Sequence, residues 1–225
     1  MVLSRHLINL FVFCIITCIK YFYERSFILL KLIPCNVEAN QVKFDGYNCI
    51  RVVKGPQKLN EYDENTFAKI DGESFYNGTI KVKVYSRVLL NAPDFSRGFI
   101  GLAFRISDDN SKFESWYIRP SNGPRMTQDP VRLSHGSQYF SYPNYTFSYF
   151  RSHNIYKYDS PADVALNEWI NLTAKVHNEQ AKFYVNNQLV LSVDKLIHSC
   201  SHGGIGLFVD IGTEGFFRDL DIISE

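Results

Sequence analysis

From Cys49 to Ile223 apolar side chains recur at every second position, and this period of two constrains the fold more than any other feature of the chain. Successive side chains of a strand point to opposite faces, so alternation marks a strand with one buried face and one wet face. In TIKVKVY, residues 79–85, Ile80, Val82 and Val84 share one face, and Lys81 and Lys83 share the other. In GFIGLAFRI, residues 98–106, the same rule groups Ile100, Leu102, Phe104 and Ile106. In FESWYIR, residues 113–119, it sets Glu114, Trp116 and Ile118 against Phe113, Ser115, Tyr117 and Arg119. Ile170, Leu172, Ala174 and Val176 face inward from the strand that opens at Trp169. Asn186-Asn187 divides AKFYVNNQLVLSV into a hairpin. Residues 203–210 form another strand, and 216–223 the last, with Phe216, Leu220 and Ile222 opposite Phe217, Asp219 and Asp221.

The aromatic run 142–158 is less regular and is expected to hold two short strands, near 146–152 and 155–158. Residues 41–225 contain no amphipathic helix pattern, internal repeat or low-complexity linker. Ten or more strands joined by turns, without crossover helices, make an all-β domain. Long strands and mixed turn lengths favour a two-sheet antiparallel β-sandwich over a barrel. An aromatic content of 15% suits strands. The formal charge of +1 and the lack of a basic stripe leave no case for nucleic acid as a partner. A neutral ligand such as a sugar is compatible with both.

The first forty residues differ. Arg5 and His6 precede an apolar run from Leu7 to Ile19, of the length of a signal-peptide core and short for a membrane span. A second apolar run covers Phe27 to Ile33. The division expected is a signal peptide or uncleaved signal anchor over 1–40, with cleavage near Val37-Glu38-Ala39, and a sandwich over 41–225. The protein is then extracellular, either secreted or tethered, and meets a membrane only through residues 1–33 if the leader is kept. Export would allow one disulfide among Cys35, Cys49 and Cys200, and Cys49 with Cys200 is the expected pair. It would also make Asn77, Asn144 and Asn171 glycosylation acceptors, because each opens an Asn-x-Thr sequon.

Three stretches resemble the concanavalin A-like lectin/glucanase superfamily. The hairpin Ala181–Val193 is similar to one in laminin-G-like domains. The closing pair GGIGLFVD…GTEGFFRDLDI has the glycine-bracketed strand and returning last strand of that group. Residues 98–123 are similar to bacterial jelly-roll proteins and to the domain named for 3-keto-disaccharide hydrolysis. The resemblance implies a jelly roll over roughly 41–225. It leaves function open, because this fold carries lectins, glycosidases and adhesion modules.

Glycosidases of this fold carry two glutamates and an aspartate on one strand, in an E-x-D-x-x-E or E-x-D-x-E pattern. No such pattern occurs here, so no catalytic residue is assigned. Glu114 stands alone on its strand and would need an acid from elsewhere, such as Asp129 or Asp163. No GxSxG elbow is present, and no metal-site spacing, so neither a metal nor a cofactor is expected. The chemistry that stands out is a set of planar donors and aromatic faces: Arg105, Glu114, Tyr117, Arg119, Asn122, Arg125, Gln138 and Tyr139. Sugars are held by this combination, ring faces on aromatics and hydroxyls on polar groups. Alternation keeps Glu114 and Tyr117 on opposite faces, so the set converges only if a bulge intervenes. The expected partner is a glycan or polysaccharide, bound by a recognition module. A hydrolase of glycans or modified sugars, and a structural or adhesion module, are the alternatives.

Overall fold

The computed structural model describes residues 30–198 and 201–225. Among these, fourteen strands form two seven-stranded antiparallel sheets packed as a β-sandwich. The front sheet runs, in spatial order, β1 (Leu32–Cys35), β4 (Phe67–Ile70), β13 (Gly204–Val209), β6 (Ile100–Ile106), β7 (Phe113–Ile118), β8 (Ser137–Tyr142) and β9 (Asp159–Ser160). The back sheet runs β12 (Gln188–Val193), β11 (Gln180–Val185), β10 (Trp169–His177), β5 (Gly78–Val88), β14 (Thr213–Ser224), β3 (Tyr47–Lys54) and β2 (Val37–Phe44). This is the all-β sandwich that the alternation requires.

The inward faces interlock as the sequence dictates. Ile80, Val82 and Val84 of β5 and Ile170, Leu172, Ala174 and Val176 of β10 are all buried. Across the sandwich, Trp116 of β7 stacks on Phe183 of β11 at 4.9 Å between ring centroids. Its indole N–H would be stranded in this core, and it donates to Ser137 Oγ at 2.9 Å. The β11–β12 turn is tight because Asn186 and Asn187 both take positive φ, 47° and 68°, the backbone of a type I′ hairpin.

The ladder register shifts between β11 and β12, and two further bulges, which alternation alone does not reveal, move side chains from the face it assigns them. Between β6 and β13, Ile106 pairs with Gly204 and Phe104 with Ile205, which leaves Arg105 as an extra residue at φ 53°. Ile106 therefore leaves the face of Ile100, Leu102 and Phe104 and joins the outer layer. In β14, Arg218 pairs with Lys83 and Asp221 with Lys81, with Asp219 at φ 53° between them. Phe217, rather than Phe216, then shares the core with Leu220 and Ile222. Phe216 stacks on Phe44 at 3.8 Å on the outer side of the back sheet.

Other expectations shift as well. Residues 146–158 hold a six-residue helix, Phe147–Ser152, and irregular chain instead of two strands. That helix carries Phe150 into the apolar layer over the front sheet. A short aromatic run can serve either structure, and here burial of Phe150 decides it. At the other end, β1 and the first half of β2 lie within residues 1–40, the stretch expected to be the leader. The sandwich therefore takes in residues 32–40, and a cut near Val37-Glu38-Ala39 would fall inside β2. The apolar run 7–19 lies outside the described residues, as does Cys200 of the expected disulfide. Cys49 is a free, buried thiol whose Sγ lies near the carbonyls of Phe44 and Tyr47.

The central strands of the front sheet are buried on both faces. Its inner face meets the back sheet, and its outer face carries Phe67, Ala103, Ile106, Phe113, Tyr117, Phe140 and Phe208, roofed in part by Phe150. Every position of β6, β7 and β13 is consequently buried, and the outer aromatic layer becomes the floor of a cavity.

Candidate functional site

A cavity of about 980 Å³ opens on the outer side of the front sheet. Tyr117 of β7, Phe140 of β8 and Phe208 of β13 supply its floor. They reach it because residues two apart on a strand, or opposite across a ladder, share a face. Tyr117 and Phe140 meet edge to face at 5.8 Å, and Tyr117 and Phe208 lie at 5.5 Å. The rim carries exposed aromatics: Tyr62 and Phe95, 5.1 Å apart, with Phe147 and Tyr156.

One wall is a sealed polar network. Arg119 follows β7, and its guanidinium donates to Asp159 Oδ1 at 3.0 Å, to Tyr117 Oη at 2.7 Å and to Gln138 Oε1 at 2.5 Å. Arg151 grips Asp159 with two bonds of 3.0 Å, and Gln138 Nε2 donates to the same carboxylate at 3.2 Å. Burial pushes the Asp159 carboxyl up, but the bonds from Arg151 and the charge of Arg119 outweigh it and hold the group below the ordinary aspartate value. His135 Nδ1 lies 3.3 Å from Asp159 Oδ1 but lacks hydrogen-bond geometry. Burial, aided by Arg151 and Arg119, pushes this imidazole down against the pull of Asp159, toward the neutral form. On the far side Lys54 Nζ donates to Asp210 Oδ1 at 2.6 Å. Burial raises the Asp210 carboxyl and Lys54 opposes it.

The eight residues singled out in the sequence divide among several places. Tyr117, Arg119 and Asn122 line the cavity, and Gln138 lies sealed behind Arg119. Asn122 is held by two bonds: its Nδ2 donates to the His135 carbonyl at 3.0 Å, and its Oδ1 accepts from Arg132 at 3.1 Å. Glu114 and Tyr139 face the interior, because the β7–β8 register gives them inward positions. There Tyr139 Oη donates to Glu114 Oε2 at 2.5 Å, and the His198 backbone N–H donates to Oε1 at 2.9 Å. Burial raises the Glu114 carboxyl against these bonds. Arg105 sits at its bulge beside the carbonyls of Tyr76 and Asn178, at 2.8 and 2.6 Å. Arg125 is solvent-facing and pairs with Asp163 and Glu168. The acids offered as partners for Glu114 are likewise placed elsewhere: Asp129 caps the helical turn Pro130–Leu133 through the Val131 N–H, and Asp163 serves Arg125.

Asp159, Arg151, Arg132 and His135 also belong to this site, and none of them stands out in the sequence. Their convergence depends on β9 pairing with β8 and on the helix 147–152, neither of which carries a local sequence signature. Of the sequons, Asn144 and Asn171 are exposed. Asn77 is half-buried, and its Oδ1 accepts from the Asn178 N–H at 2.7 Å. Among the described residues no group of three or more His, Cys, Asp or Glu side chains is arranged to hold a metal ion.

The family model described as the Clostridium botulinum HA-17 domain matches residues 73–197, more than half of the chain. That span includes β5 to β12 and the polar wall of the cavity, and leaves out Phe208 and Asp210. No curated protein matches the chain. Among solved structures, the carbohydrate-binding module CBM66 from Bacillus subtilis superposes with a TM-score of 0.54 at 13% identity, covering 85% of this chain and 97% of that one. A Bacillus subtilis protein of unknown function with a galectin-like fold gives 0.47 at 10% identity, covering 84% and 90%. At such identities the likeness is one of fold.

Proposed function

The chain belongs to the Clostridium botulinum HA-17 domain family, and we propose that it is a carbohydrate-binding module whose ligand lies in the cavity on the outer face of the front sheet. One observation carries the reading: the cavity combines an aromatic floor and exposed aromatic rims with planar donors, while its buried acids are committed to ion pairs. Tyr62 and Tyr156, each about half exposed, offer ring faces to the apolar side of a sugar. The cavity volume falls in the range of sites that enclose small ligands. The sandwich likeness to a carbohydrate-binding module supports the same reading at the level of fold.

A glycosidase would need one carboxylate free to attack or activate water and a second able to protonate the leaving group. Asp159 is held by two arginines and Asp210 by Lys54. Glu114 faces the interior. This distribution favours binding over hydrolysis. The apolar leader fits a domain that works outside the cell.

A glycan-array screen of the full chain tests the proposal. Binding to a defined glycan is expected, and Tyr62→Ala and Tyr156→Ala are each expected to weaken it by about tenfold, the upper range for one lost aromatic contact. If both variants bound as tightly as the parent, the cavity would not be the site.

A further inference from the structure

Four guanidinium groups line the cavity, from Arg97, Arg119, Arg132 and Arg151. Two of them, Arg119 and Arg151, share the Asp159 carboxylate. Among the described residues neither Arg97 nor Arg132 makes a carboxylate contact as close as an ion pair, and their hydrogen bonds go to neutral acceptors. Arg132 Nε donates to Asn122 Oδ1 at 3.1 Å, and its Nη2 donates to the Ser121 carbonyl at 2.5 Å. Arg97 Nη1 donates to the carbonyls of Asp94 and Ser96 at 2.6 and 2.9 Å. Both side chains are half-buried.

We infer that Arg97 and Arg132 form an anion subsite within this cavity, and that the glycan it takes is acidic, bearing a carboxylate or a sulfate ester. The inference rests on the binding-module reading and specifies its ligand. Like charges held near each other away from bulk water repel, and an anion between them relieves the repulsion. Burial first, and then the charges of Arg132 and Arg119, press the Arg97 guanidinium toward losing its proton, and the more weakly acting carboxylates of Asp129 and Asp94 do not cancel that pressure. An anion would reverse that pressure. Carbonyl and amide acceptors fix where each fork points without neutralising it, which leaves the remaining N–H groups oriented for a ligand oxygen. The other acids that line the cavity are engaged elsewhere. Asp210 is paired with Lys54, Glu64 lies 3.4 Å from Lys58, and Asp63 accepts from the Ser148 N–H. The two arginines lie within the span matched by the family model. A carboxylate and a sulfate ester offer the same planar or trigonal face of oxygens to such a pair, so the chemistry of the site leaves both open.

The test uses the full chain and four short oligosaccharides: oligogalacturonate, its methyl ester, a sulfated galactan oligosaccharide and its desulfated form. Calorimetric titration is expected to show one acidic member of a pair binding at least about tenfold tighter than its neutral counterpart, the increment of one or two charge-assisted bonds. The pair that shows the preference identifies the anion. Arg97→Gln and Arg132→Gln are expected to abolish the preference, bringing the acidic member to the affinity of its neutral counterpart for the same variant, and Arg132→Lys to keep part of it. Lys182→Gln, an exposed site on β11, leaves the preference intact if the effect is local. A cooperative urea-unfolding transition reports that each variant is folded. Equal affinity for acidic and neutral members, or a preference that survives both substitutions, overturns the anion subsite and leaves the binding module standing. If none of the four binds, and the array also shows no ligand, both readings fail together.

Discussion

Arg119 and Asp159 form an ion pair at 3.0 Å with side chains only 4% and 2% exposed, and the carboxylate also receives Arg151 and Gln138. Two charges so far from water persist only when their hydrogen-bonding capacity is nearly spent, and here four donors reach one carboxylate. Arg119 therefore positions the wall, and a ligand meets the groups around it. Arg119→Met is expected to cost about 3 kcal/mol in urea unfolding, the low end for breaking a buried pair, since Arg151 stays on the carboxylate.

The pH dependence of the same pair follows from its sign. Asp159 is held below the ordinary aspartate value in the folded state. Its contribution is full above that ordinary value and is lost as pH falls through the lower folded value. Stability curves from pH 6 downward should show this acid loss in the parent. The loss should be smaller in Arg119→Met, where one of the cations that depresses the carboxyl is gone. Equal slopes would mean that Arg151 alone sets the charge of Asp159.

Glu114 carries the opposite sign. Burial raises its carboxyl, so the folded state keeps a proton that the unfolded chain has released. Stability from this group is present below the ordinary glutamate value and declines as pH rises toward the folded value. Glu114→Gln cannot ionise. The stability of this variant relative to the parent should therefore improve from pH 4 to pH 7, as read by denaturant titration at each pH. A difference independent of pH would show that folding leaves the proton affinity of this carboxyl unchanged.

Much of the sandwich was legible because alternation is a direct image of burial. Ile80, Val82 and Val84 face the core for the reason that Lys81 and Lys83 do not. The two misread faces share one cause. A bulge adds a residue without altering composition, so Ile106 and Phe216 changed sides with no mark in the sequence except Arg105 and Asp219, whose φ of 53° appears only in the backbone. The site was legible strand by strand and no further. The grouping of Tyr117 with Arg119 needs only parity, and it holds. The link to Asp159 needs β8–β9 pairing across a loop of irregular chain, and no local pattern encodes it. Glu114 and Tyr139 looked like site residues by chemistry, yet register turns them inward to satisfy each other.

Gly101 tests how closely β6 and β7 approach. A Cβ at this position would lie 2.1 Å from the Trp116 carbonyl oxygen and 2.5 Å from Tyr117 Cα. Both atoms belong to backbone, which cannot step aside as a flexible side chain would. Gly101→Ala is expected to destabilise the fold by about 1–3 kcal/mol, the usual cost of overpacking. Because Tyr117 stands on the displaced strand, any ligand affinity should fall with it. A stable variant with unchanged unfolding would mean that the two strands can separate at no cost.

His135 and His198 add a third pH dependence, located in the histidine range. Burial lowers both imidazoles; Arg151 and Arg119 add to this at His135, and Lys112 at His198. A base depressed in the folded state binds fewer protons there than in the unfolded chain, so stability rises with pH across the interval and falls on acidification. The interval lies at and below the ordinary histidine value. His135→Gln is expected to reduce the slope of that part of the stability curve, leaving the share of His198 and the aspartate-dependent loss at lower pH in place. Its Nδ1 has no hydrogen bond to forfeit, so the substitution should cost little at pH 8, where both forms of the protein carry a neutral side chain. A large loss at pH 8 would instead place the role of the ring in packing against Tyr156, whose centroid lies 6.0 Å away.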